Sequence, residues 1–446
     1  MSEKKQLLKI ILKICIAFLP VIIYFCIFVI YEPYNYWGIS KERGDCTSPI
    51  SGMREVMNHE HENIIIGDSR VAYLDPGVLN EGNITNERFC NMAFTGASTK
   101  EKCDIFWWAN EHTKLKKVVL ELNFWNMQEA VAADRVEMVK DVVKNPLHFI
   151  FNMDYNLAML KNIKNKANLE KEEIHSKEVQ EEIIEINEED QLNSYKKYAD
   201  TIWDENMKNF VFNTQALNSL IEVAEYCNEN GIELVLVSLP MHRLVWDKVE
   251  KYDRCKYVDL YKKILSKYAT IYDMEYIESK LSDSLLYADG NHIYGLDKIT
   301  TKNFVKNYPL TSDIINVMFK KEGKNVRVLS NKGKKKKVLS REHMYIYGNE
   351  GIVPFQEEIN IEENAIYRIS FNASCQGIPS TFYMDLYGEE YDNYLQDANF
   401  SLQEEDRKYS AVVQVEQIPE KQIYFRIINV DGKEIDISKL LVERIG

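Results

Sequence analysis

The chain has 446 residues, of which 45% are hydrophobic and 11% aromatic, a composition that excludes wholesale disorder and leaves room for two or three domains. Its formal net charge of -14 excludes nucleic acid as the main partner, because a phosphate backbone would be repelled. The spacing of its 8 cysteines predicts no particular disulfide.

A membrane-spanning helix is the first predicted element. Residues 14–31 carry no charge, and at about 1.5 Å per residue they are long enough to cross a hydrocarbon core of about 30 Å. Four lysines precede this run: Lys4, Lys5, Lys9 and Lys13. The positive-inside rule therefore predicts a cytoplasmic N-terminus, with the rest of the chain outside. Three aromatic residues form the expected interfacial belt: Tyr34, Tyr36 and Trp37. A cleaved signal peptide and a buried core helix are the alternatives.

Short apolar runs alternate with helical stretches through the middle of the chain. The runs predicted as buried strands are 63–66, 117–122, 232–237 and 269–273. The stretches predicted as helices are 100–113, 213–230 and 255–268. This alternation predicts an α/β fold with an open parallel sheet covered on both faces, in which reactive groups collect beyond the carboxyl ends of the strands.

Residues from about 127 to 204 interrupt this alternation. The part from 161 to 190 is rich in Lys, Glu, Asn and Ile and contains no Pro or Gly, which predicts solvated helices. We interpret the segment as a helical insertion without chemistry, and a lid over the active site is the alternative.

The C-terminal part has a different pattern. Short alternating or apolar runs with turn residues between them predict an antiparallel β-sandwich. The boundary falls between about 315 and 327. The predicted domains are therefore a tail and anchor (1–35), an α/β domain (36–318) and the sandwich (325–446).

A serine directly follows the first predicted strand. In the segment 64–70, IIIGDSR, Gly67 allows a tight turn and Ser69 can project its hydroxyl into the crevice at the edge of the sheet. A plain turn is the alternative, because Gly, Asp and Ser are all turn formers.

The partners that such a serine needs lie far downstream, in the segment 287–292, YADGNH. A serine hydroxyl is a poor nucleophile at neutral pH and needs a base within hydrogen-bond reach, a role that imidazole suits. His292 is the predicted base, and Asp289 is predicted to orient its ring. For this pair alone, a helix N-cap followed by an ordinary histidine is the alternative.

Taken together, these two segments resemble the first and last blocks of the SGNH/GDSL hydrolases, over roughly residues 62–308. The segment 91–98, NMAFTGAS, looks like the second block, which implies that Gly96 donates a backbone N–H to the oxyanion. The resemblance implies a flavodoxin-like parallel sheet and acyl transfer through an acyl-enzyme on Ser69, without a cofactor.

The third block departs from the Gly-x-Asn pattern of the family. It reads LNFWN over 122–126, so Asn123 and Asn126 are both candidates for the side-chain donor of the oxyanion hole. The end of the fourth strand is expected to bring His242 near the pocket, without an assigned role. No metal site is predicted, because His59 and His61 lack further ligands at suitable spacing.

The anchor, the outward-facing domain and these blocks together resemble proteins that modify cell-surface polymers. These are the D-alanyl-lipoteichoic acid biosynthesis proteins and the alginate-type O-acetyltransferases, which work beside membrane-bound O-acyltransferases. The resemblance implies a plasma-membrane esterase or O-acyltransferase that acts on acyl esters, with acetyl as the expected group, of an extracellular glycan or teichoic acid. A non-catalytic scaffold that recruits a polymer to a membrane-bound O-acyltransferase partner is the alternative.

The C-terminal sandwich looks similar to carbohydrate-binding modules. Six tyrosines are candidates for sugar-stacking faces: Tyr345, Tyr347, Tyr383, Tyr387, Tyr391 and Tyr394. Core packing or cross-strand pairing is the alternative for aromatic residues in such strands.

Overall fold

The structure is a computed structural model that forms two compact units. It describes residues 3–446 except 41–43, 75, 78–85, 129–133, 177–187, 276–286, 288–290, 294–308, 324–325, 333–334, 347–352, 354, 377–379, 389–391, 416–417, 419–421 and 430. The first unit comprises Met1–Glu121, Ala132–Lys197 and Asp283–Lys320. The second unit comprises Leu122–Val131, Tyr198–Ser282 and Lys321–Gly446.

Helices and strands are numbered here in chain order over the described residues. The helices are α1 (Glu3–Tyr31), α2 (Ile50–Asn58), α3 (Thr99–His112), α4 (Arg135–Lys144), α5 (Pro146–Ile150), α6 (Met153–Ser176), α7 (Glu188–Tyr198), α8 (Asp204–Lys208), α9 (Thr214–Asn230), α10 (Arg243–Lys251), α11 (Cys255–Leu265) and α12 (Pro309–Lys320). The strands are β1 (Asn63–Ile66), β2 (Phe89–Asn91), β3 (Lys117–Leu122), β4 (Glu233–Ser238), β5 (Ile271–Asp273), β6 (Arg327–Leu329), β7 (Lys336–Ile346), β8 (Phe355–Ile359), β9 (Ala365–Cys375), β10 (Ser380–Tyr387), β11 (Asp392–Leu402), β12 (Arg407–Val415), β13 (Ile423–Asn429) and β14 (Ile435–Arg444). A 3₁₀ turn (Phe124–Met127) follows β3, and a π-helical turn (Ala199–Trp203) follows α7.

Parallel strands form the sheet of the first unit. β1 pairs in parallel with β2 on one side and with β3 on the other, so Ile64 lies between Cys90 and Val118. The apolar side chains of β1 and β3 are buried, as expected for strands covered on both faces. The predicted parallel pairing of the strands at 63–66 and 117–122 is confirmed. Because the strands run in parallel, the loops after β1 and β2 leave the sheet at the same edge.

The apolar N-terminal run lies within helix α1. Within the described part of the chain, no helix is both long enough and apolar enough to cross a membrane, so the transmembrane anchor expected over residues 14–31 is not found. The helix packs on the insertion, where the Tyr24 hydroxyl oxygen lies 3.0 Å from the Ile150 carbonyl oxygen and 2.7 Å from Asn156 Oδ1. The predicted insertion is helical where it is described, in α4 to α7.

The sheet of the α/β part is mixed, not purely parallel as expected. In the second unit, β4 and β5 are parallel, but β6 pairs antiparallel with β5 and places Leu329 opposite Ile271. β6 has only three residues and follows α12 in the chain. The predicted helix over 213–230 is confirmed, and it ends at Gly231, whose φ of 69° favours glycine.

Two antiparallel four-stranded sheets form the C-terminal sandwich, as predicted. Their strand orders are β11-β10-β13-β8 and β12-β9-β14-β7. The inner faces share one apolar core that includes Phe371, Phe382 and Phe425. The sequence did not reveal β8 and β11, which complete the sheet that contains β10 and β13.

Helix α9 packs on this sandwich within the second unit. The Arg368 guanidinium lies 2.7 Å from Glu225 of α9, and Lys408 lies 3.0 Å from the same carboxylate. Burial opposes ionisation of Glu225, but the two cations outweigh it and lower its pKa. The Ser410 hydroxyl adds hydrogen bonds to Asn218 at 2.9 Å and Glu222 at 2.6 Å. Polar contacts therefore fasten the sandwich to a helix of the α/β part.

Candidate active site

Ser69 lies in a tight turn at the end of β1. Its neighbours Asp68 and Arg70 are buried, whereas Ser69 is partly exposed. Asp68 closes the turn, since its carbonyl accepts hydrogen bonds from the Val71 and Ala72 amides at 3.1 and 2.9 Å. Ser69 is therefore the one residue of these three that reaches the surface.

Gly67 is required at the start of this turn by close packing. A Cβ at this position would lie 2.3 Å from Val71 Cγ2 and 3.0 Å from Glu121 Cβ. Real Cβ atoms do not approach this closely, so any larger residue would displace the chain beside Ser69.

The structure brings Ser69 and His292 together. Ser69 Oγ and His292 Nε2 lie 2.7 Å apart, within hydrogen-bond distance, although 223 positions separate the residues. Both side chains are partly exposed, so the pair is open to solvent. This geometry suits transfer of the serine proton to the imidazole.

A short β-bridge closes the loop that carries His292. Tyr287 pairs antiparallel with Ile293, and both residues are buried. Asp289, the predicted orienting carboxylate, lies outside the described residues, so its role stays a prediction.

Four buried charges surround the base of the serine turn. Each exposes 3% of its surface or less, and they are Asp68, Arg70, Lys102 and Glu121. Lys102 Nζ lies 3.1 Å from Asp68 Oδ2 and 2.6 Å from Glu121 Oε2, and Arg70 lies 3.6 Å from Glu121. The two positive and two negative charges neutralise each other, which lowers the free-energy cost of burying them.

The carboxylates keep Lys102 charged. Burial works against the ammonium, but Asp68 and Glu121 outweigh it and raise the pKa of Lys102. Burial and the adjacent Asp68 charge raise the pKa of Glu121, against the effect of Lys102 and Arg70. Because Asp68 is bound on one side by Lys102 and on the other by the Arg70 amide at 3.0 Å, the cluster fixes the backbone on both sides of Ser69.

The loop after β2 runs beside the serine turn. The Phe94 amide donates to the Gly67 carbonyl at 3.3 Å, so the predicted second block and the serine segment are in contact. Gly96 follows, exposed and with a φ of 66°, a conformation that favours glycine. The structure thus brings the loop that carries the expected oxyanion donor next to the serine segment.

Arg135 of α4 holds this loop. Its guanidinium donates to the Thr95 carbonyl at 2.9 Å and to the Gly96 carbonyl at 2.7 Å. Glu101 of α3 is buried and binds Arg135 Nε at 2.8 Å. The same carboxylate accepts from the Ser98 amide at 2.9 Å in the capping box that begins α3.

Asn123 and Asn126 lie in the second unit, at the 3₁₀ turn after β3. Asn123 caps this turn, with its side-chain oxygen accepting from the Trp125 amide at 3.1 Å. The role of Asn123 or Asn126 as a donor to the oxyanion stays a prediction. His242 caps a helix, because its Nδ1 accepts from the Leu244 amide at 3.2 Å at the start of α10, and its expected place near the pocket stays a prediction.

His59 and His61 take part in no metal cluster of the described residues. The rings face each other edge-on at 6.2 Å, and His61 Nε2 lies 3.1 Å from Glu55.

The predicted tyrosines of the sandwich fall into different groups. Tyr383 and Tyr387 are partly exposed on β10, whereas Tyr345 lies on the other sheet and donates to Glu434 at 2.6 Å. Tyr347 and Tyr391 lie outside the described residues, as does the side chain of Tyr394.

Sequence reasoning missed the residues that hold the site. Asn91 was assigned no role, yet its side-chain amide donates to the Val71 and Leu74 carbonyls at 2.8 Å and so fastens the turn after Ser69. A glutamate inside an apolar strand, Glu121, was the signal that could have indicated a buried cation nearby. Lys102 and Arg135 gave no comparable signal, because charged residues are ordinary near helix ends.

Comparisons with known proteins do not assign a family. No family model and no curated protein matches the chain. Among solved structures it is similar to one described as "CBM4 structure and function", at 11% identity over 24% of this chain and 77% of that chain, with a TM-score of 0.20. The CBM22-1 xylan-binding domain of Paenibacillus barcinonensis Xyn10C matches at 11% identity over 26% of this chain and 83% of that one, with a TM-score of 0.19. A putative sugar binding protein from Bacteroides thetaiotaomicron matches at 13% identity over 26% and 85% of the two chains, also at 0.19. These TM-scores are too low for the likenesses to bear on the ligand or activity of this chain.

Proposed function

We propose that the chain is an SGNH-type serine esterase or O-acyltransferase. One observation carries the proposal, namely the distance of 2.7 Å between Ser69 Oγ and His292 Nε2. The balanced buried charges around the serine turn support it, because such a cluster fixes a side chain that must be held precisely for catalysis. The SGNH fold with a flavodoxin-like strand order belongs to the same proposal.

In the first step, His292 Nε2 takes the proton of the Ser69 hydroxyl while Oγ forms a bond to the ester carbonyl carbon. The tetrahedral intermediate then collapses, the ester C–O bond breaks, and the imidazolium returns the proton to the departing alcohol. In the second step, water or a sugar hydroxyl gives a proton to His292 and attacks the acyl carbon. Ser69 leaves as the hydroxyl, and the acyl group passes to the acceptor.

Asp289 would hold the imidazole in the tautomer that has Nε2 as the acceptor and stabilise the imidazolium. Backbone N–H groups of Ser69 and Gly96 would stabilise the oxyanion, together with the amide of Asn123 or Asn126. Loss of one such donor typically lowers the rate by about 10²–10³-fold.

The proposed substrate is an acyl ester, with acetyl expected, of a cell-surface glycan or teichoic acid. A membrane-bound O-acyltransferase is the proposed partner if the chain transfers acyl groups. Both rest on the resemblance to surface-polymer modification proteins. Comparing the ester content of the surface polymers between a deletion strain and its parent tests them, and unchanged content would contradict both.

We place the chain at the outer face of a membrane as part of the same proposal. Exposed apolar side chains on α1 support this location, including Ile16, Phe18 and Ile22. An exposed apolar stripe on α6, formed by Leu157 and Leu160, supports it further. The chain should sediment with the membrane fraction of lysed cells and be cut by protease added outside intact cells. Recovery in the soluble fraction would contradict this location.

A second proposed activity is glycan binding by the sandwich. One face of the sheet with β10 and β13 carries Tyr387, opposite Tyr424, and Asp385, opposite Arg426. The Arg426 guanidinium binds Asp385, which is almost fully buried, and lies 4.1 Å from the centre of the Tyr387 ring. Rings held beside a fixed ion pair provide stacking and hydrogen-bonding groups of the kind that sugars need.

Affinity electrophoresis of the full chain in gels that contain soluble glycans tests the sandwich proposal. Tyr387→Ala should abolish any retardation that the wild type shows, whereas Tyr345→Ala, on the other sheet, should leave it unchanged. Equal retardation of both variants and the wild type would contradict this binding face.

A fluorophosphonate probe tests the esterase proposal on the purified full chain. The wild type should be labelled, and Ser69→Ala and His292→Ala should not, while Ser401→Ala, an exposed serine of β11, should label like the wild type. Failure of the folded wild type to label would favour the non-catalytic scaffold.

A further inference from the structure

Helix α7 of the insertion contacts the base of the histidine loop within the first unit. Gln191 Nε2 donates to the Tyr287 carbonyl at 3.0 Å, and the Tyr195 hydroxyl donates to the same carbonyl. All three residues are buried, with Tyr195 and Tyr287 fully so. Two donors one helical turn apart therefore converge on one acceptor, which uses both lone pairs of that oxygen.

The position of this carbonyl is linked to the position of His292. Tyr287 pairs with Ile293 across the loop, and Ile293 is the next residue after His292. A shift of the Tyr287 backbone would therefore move one side of the bridge on which the histidine is mounted. Hydrogen bonds in a buried site are costly to leave unmade, so the two donors oppose such a shift.

We propose that Gln191 and Tyr195 are positioning residues that hold His292 within hydrogen-bond reach of Ser69. The inference rests on the proposed function, and it assigns to the insertion a role in catalysis that is neither an inert helix nor a lid. Neither side chain touches the reacting atoms. They act through the Tyr287 backbone, and a misplacement of about 1 Å at a catalytic group can lower a rate by about 10²-fold.

The test compares rates of fluorophosphonate labelling of the full chain between pH 5 and pH 9 or so. Tyr195→Phe removes one oxygen without a change in shape, and Gln191→Leu removes both polar atoms of the amide. Each should slow labelling by about 10-fold and move the pH midpoint of the labelling profile, because the base is no longer held in one geometry. The control Asn193→Leu makes a matched change at an exposed position of α7 and should label like the wild type.

The outcomes separate this inference from the proposed function. If the wild type does not label, the proposed function fails. If the wild type labels and both variants label at the wild-type rate with the same pH profile, the positioning role is wrong and the esterase proposal stands. Slower labelling that parallels a loss of native circular dichroism, with an unchanged pH profile, would also overturn the positioning role.

Discussion

At the residue scale, the candidate site depends on small and charged side chains packed around one turn. Ser69 has buried neighbours on both sides, and the buried ammonium of Lys102 joins Asp68 to Glu121. None of these neighbours has to touch a substrate. Their contribution is to restrict where the serine oxygen can lie.

Gly67→Ala should displace this turn. The added methyl would lie 2.3 Å from Val71 Cγ2, and overpacking of this kind costs about 1–3 kcal/mol. We expect lower stability in urea and at least a 10-fold slower labelling of Ser69, roughly the loss caused by misplacing a catalytic group.

Gly231→Ala is the matched control for this change. A methyl at Gly231 meets nothing within 4 Å, although its φ of 69° makes alanine unfavourable by about 1 kcal/mol. It should lower stability without slowing the labelling of Ser69. Normal labelling of Gly67→Ala would show that the tight approach does not position the serine.

Glu32 provides a pH dependence of stability. Its carboxylate accepts hydrogen bonds from the Tyr34 and Tyr36 amides at 2.7 and 2.6 Å, yet burial raises its pKa from 4.5 to about 7. The folded state then binds more protons than the unfolded state between these two pH values, so stability falls as pH rises through this range. The loss amounts to about 3 kcal/mol at most.

The thermal midpoint of the purified chain, measured from pH 4.5 to pH 8 or so, checks this expectation. The midpoint should fall as pH rises, and the fall should be smaller in Glu32→Gln, which cannot ionise at this position. An identical slope in both proteins would contradict the assignment to Glu32.

At the element scale, helices α3 and α4 determine the shape of the loop that carries Gly96. The capping box of α3 places Glu101 where it binds Arg135 of α4, and Arg135 in turn binds two loop carbonyls. A helix start and a helix from the insertion therefore cooperate in holding the expected oxyanion donor.

Arg135→Ala should loosen this loop. It removes the donors to the Thr95 and Gly96 carbonyls and the guanidinium that lies 4.7 Å from the centre of the Phe94 ring. Labelling of Ser69 should slow by about 10-fold or more, because oxyanion stabilisation depends on the placement of its donors. Lys140→Ala, which removes an i,i+3 ion pair on the same helix, should have no effect on labelling. Equal labelling of both variants would show that Arg135 has no such role.

At the scale of the whole molecule, the chain divides into two compact units, and the second contains both α/β elements and the sandwich. The sandwich has its own core, but α9 binds it through Glu225 and Ser410. We therefore expect the sandwich and α9 to unfold together.

Substitution of Glu225 and substitution of Arg368 should lower the free energy of unfolding by different amounts. Glu225→Gln leaves the Arg368 guanidinium, whose side chain is 2% exposed, without its carboxylate. Removing one partner of a buried pair costs about 3 kcal/mol. Arg368→Met should cost less, because Glu225 keeps Lys408 at 3.0 Å. Urea denaturation of the full chain measures both, with Glu205→Gln, at an exposed position of α8, as the control. The reverse order of the two losses would contradict the arrangement.

Element type could be predicted from sequence where periodicity and end signals agreed. The strands at β1 and β3 and the helix α9, with Gly231 after it, were found because burial on both faces and helix capping leave local patterns. β2, β6 and β8 are only three to five residues long, too short to give a periodic signal. The membrane span is a further point at which sequence and structure differ. A run of apolar residues predicted it, but no helix of the described residues is long and apolar enough to cross a membrane.

The sequence by itself determined the chemical groups of the candidate site, because a serine after a buried strand and a histidine in a distant loop are recognisable by type and order. It also predicted His292 as the base for Ser69. Only the tertiary structure decided that Ser69 Oγ and His292 Nε2 lie 2.7 Å apart, that Lys102 and Arg135 bind the segments around them, and that α7 of the insertion donates hydrogen bonds to the histidine loop. The physical reason is that sequence patterns report local preferences of the backbone and of burial. The distance between two side chains 223 positions apart depends on how the whole chain packs, and no local pattern encodes it.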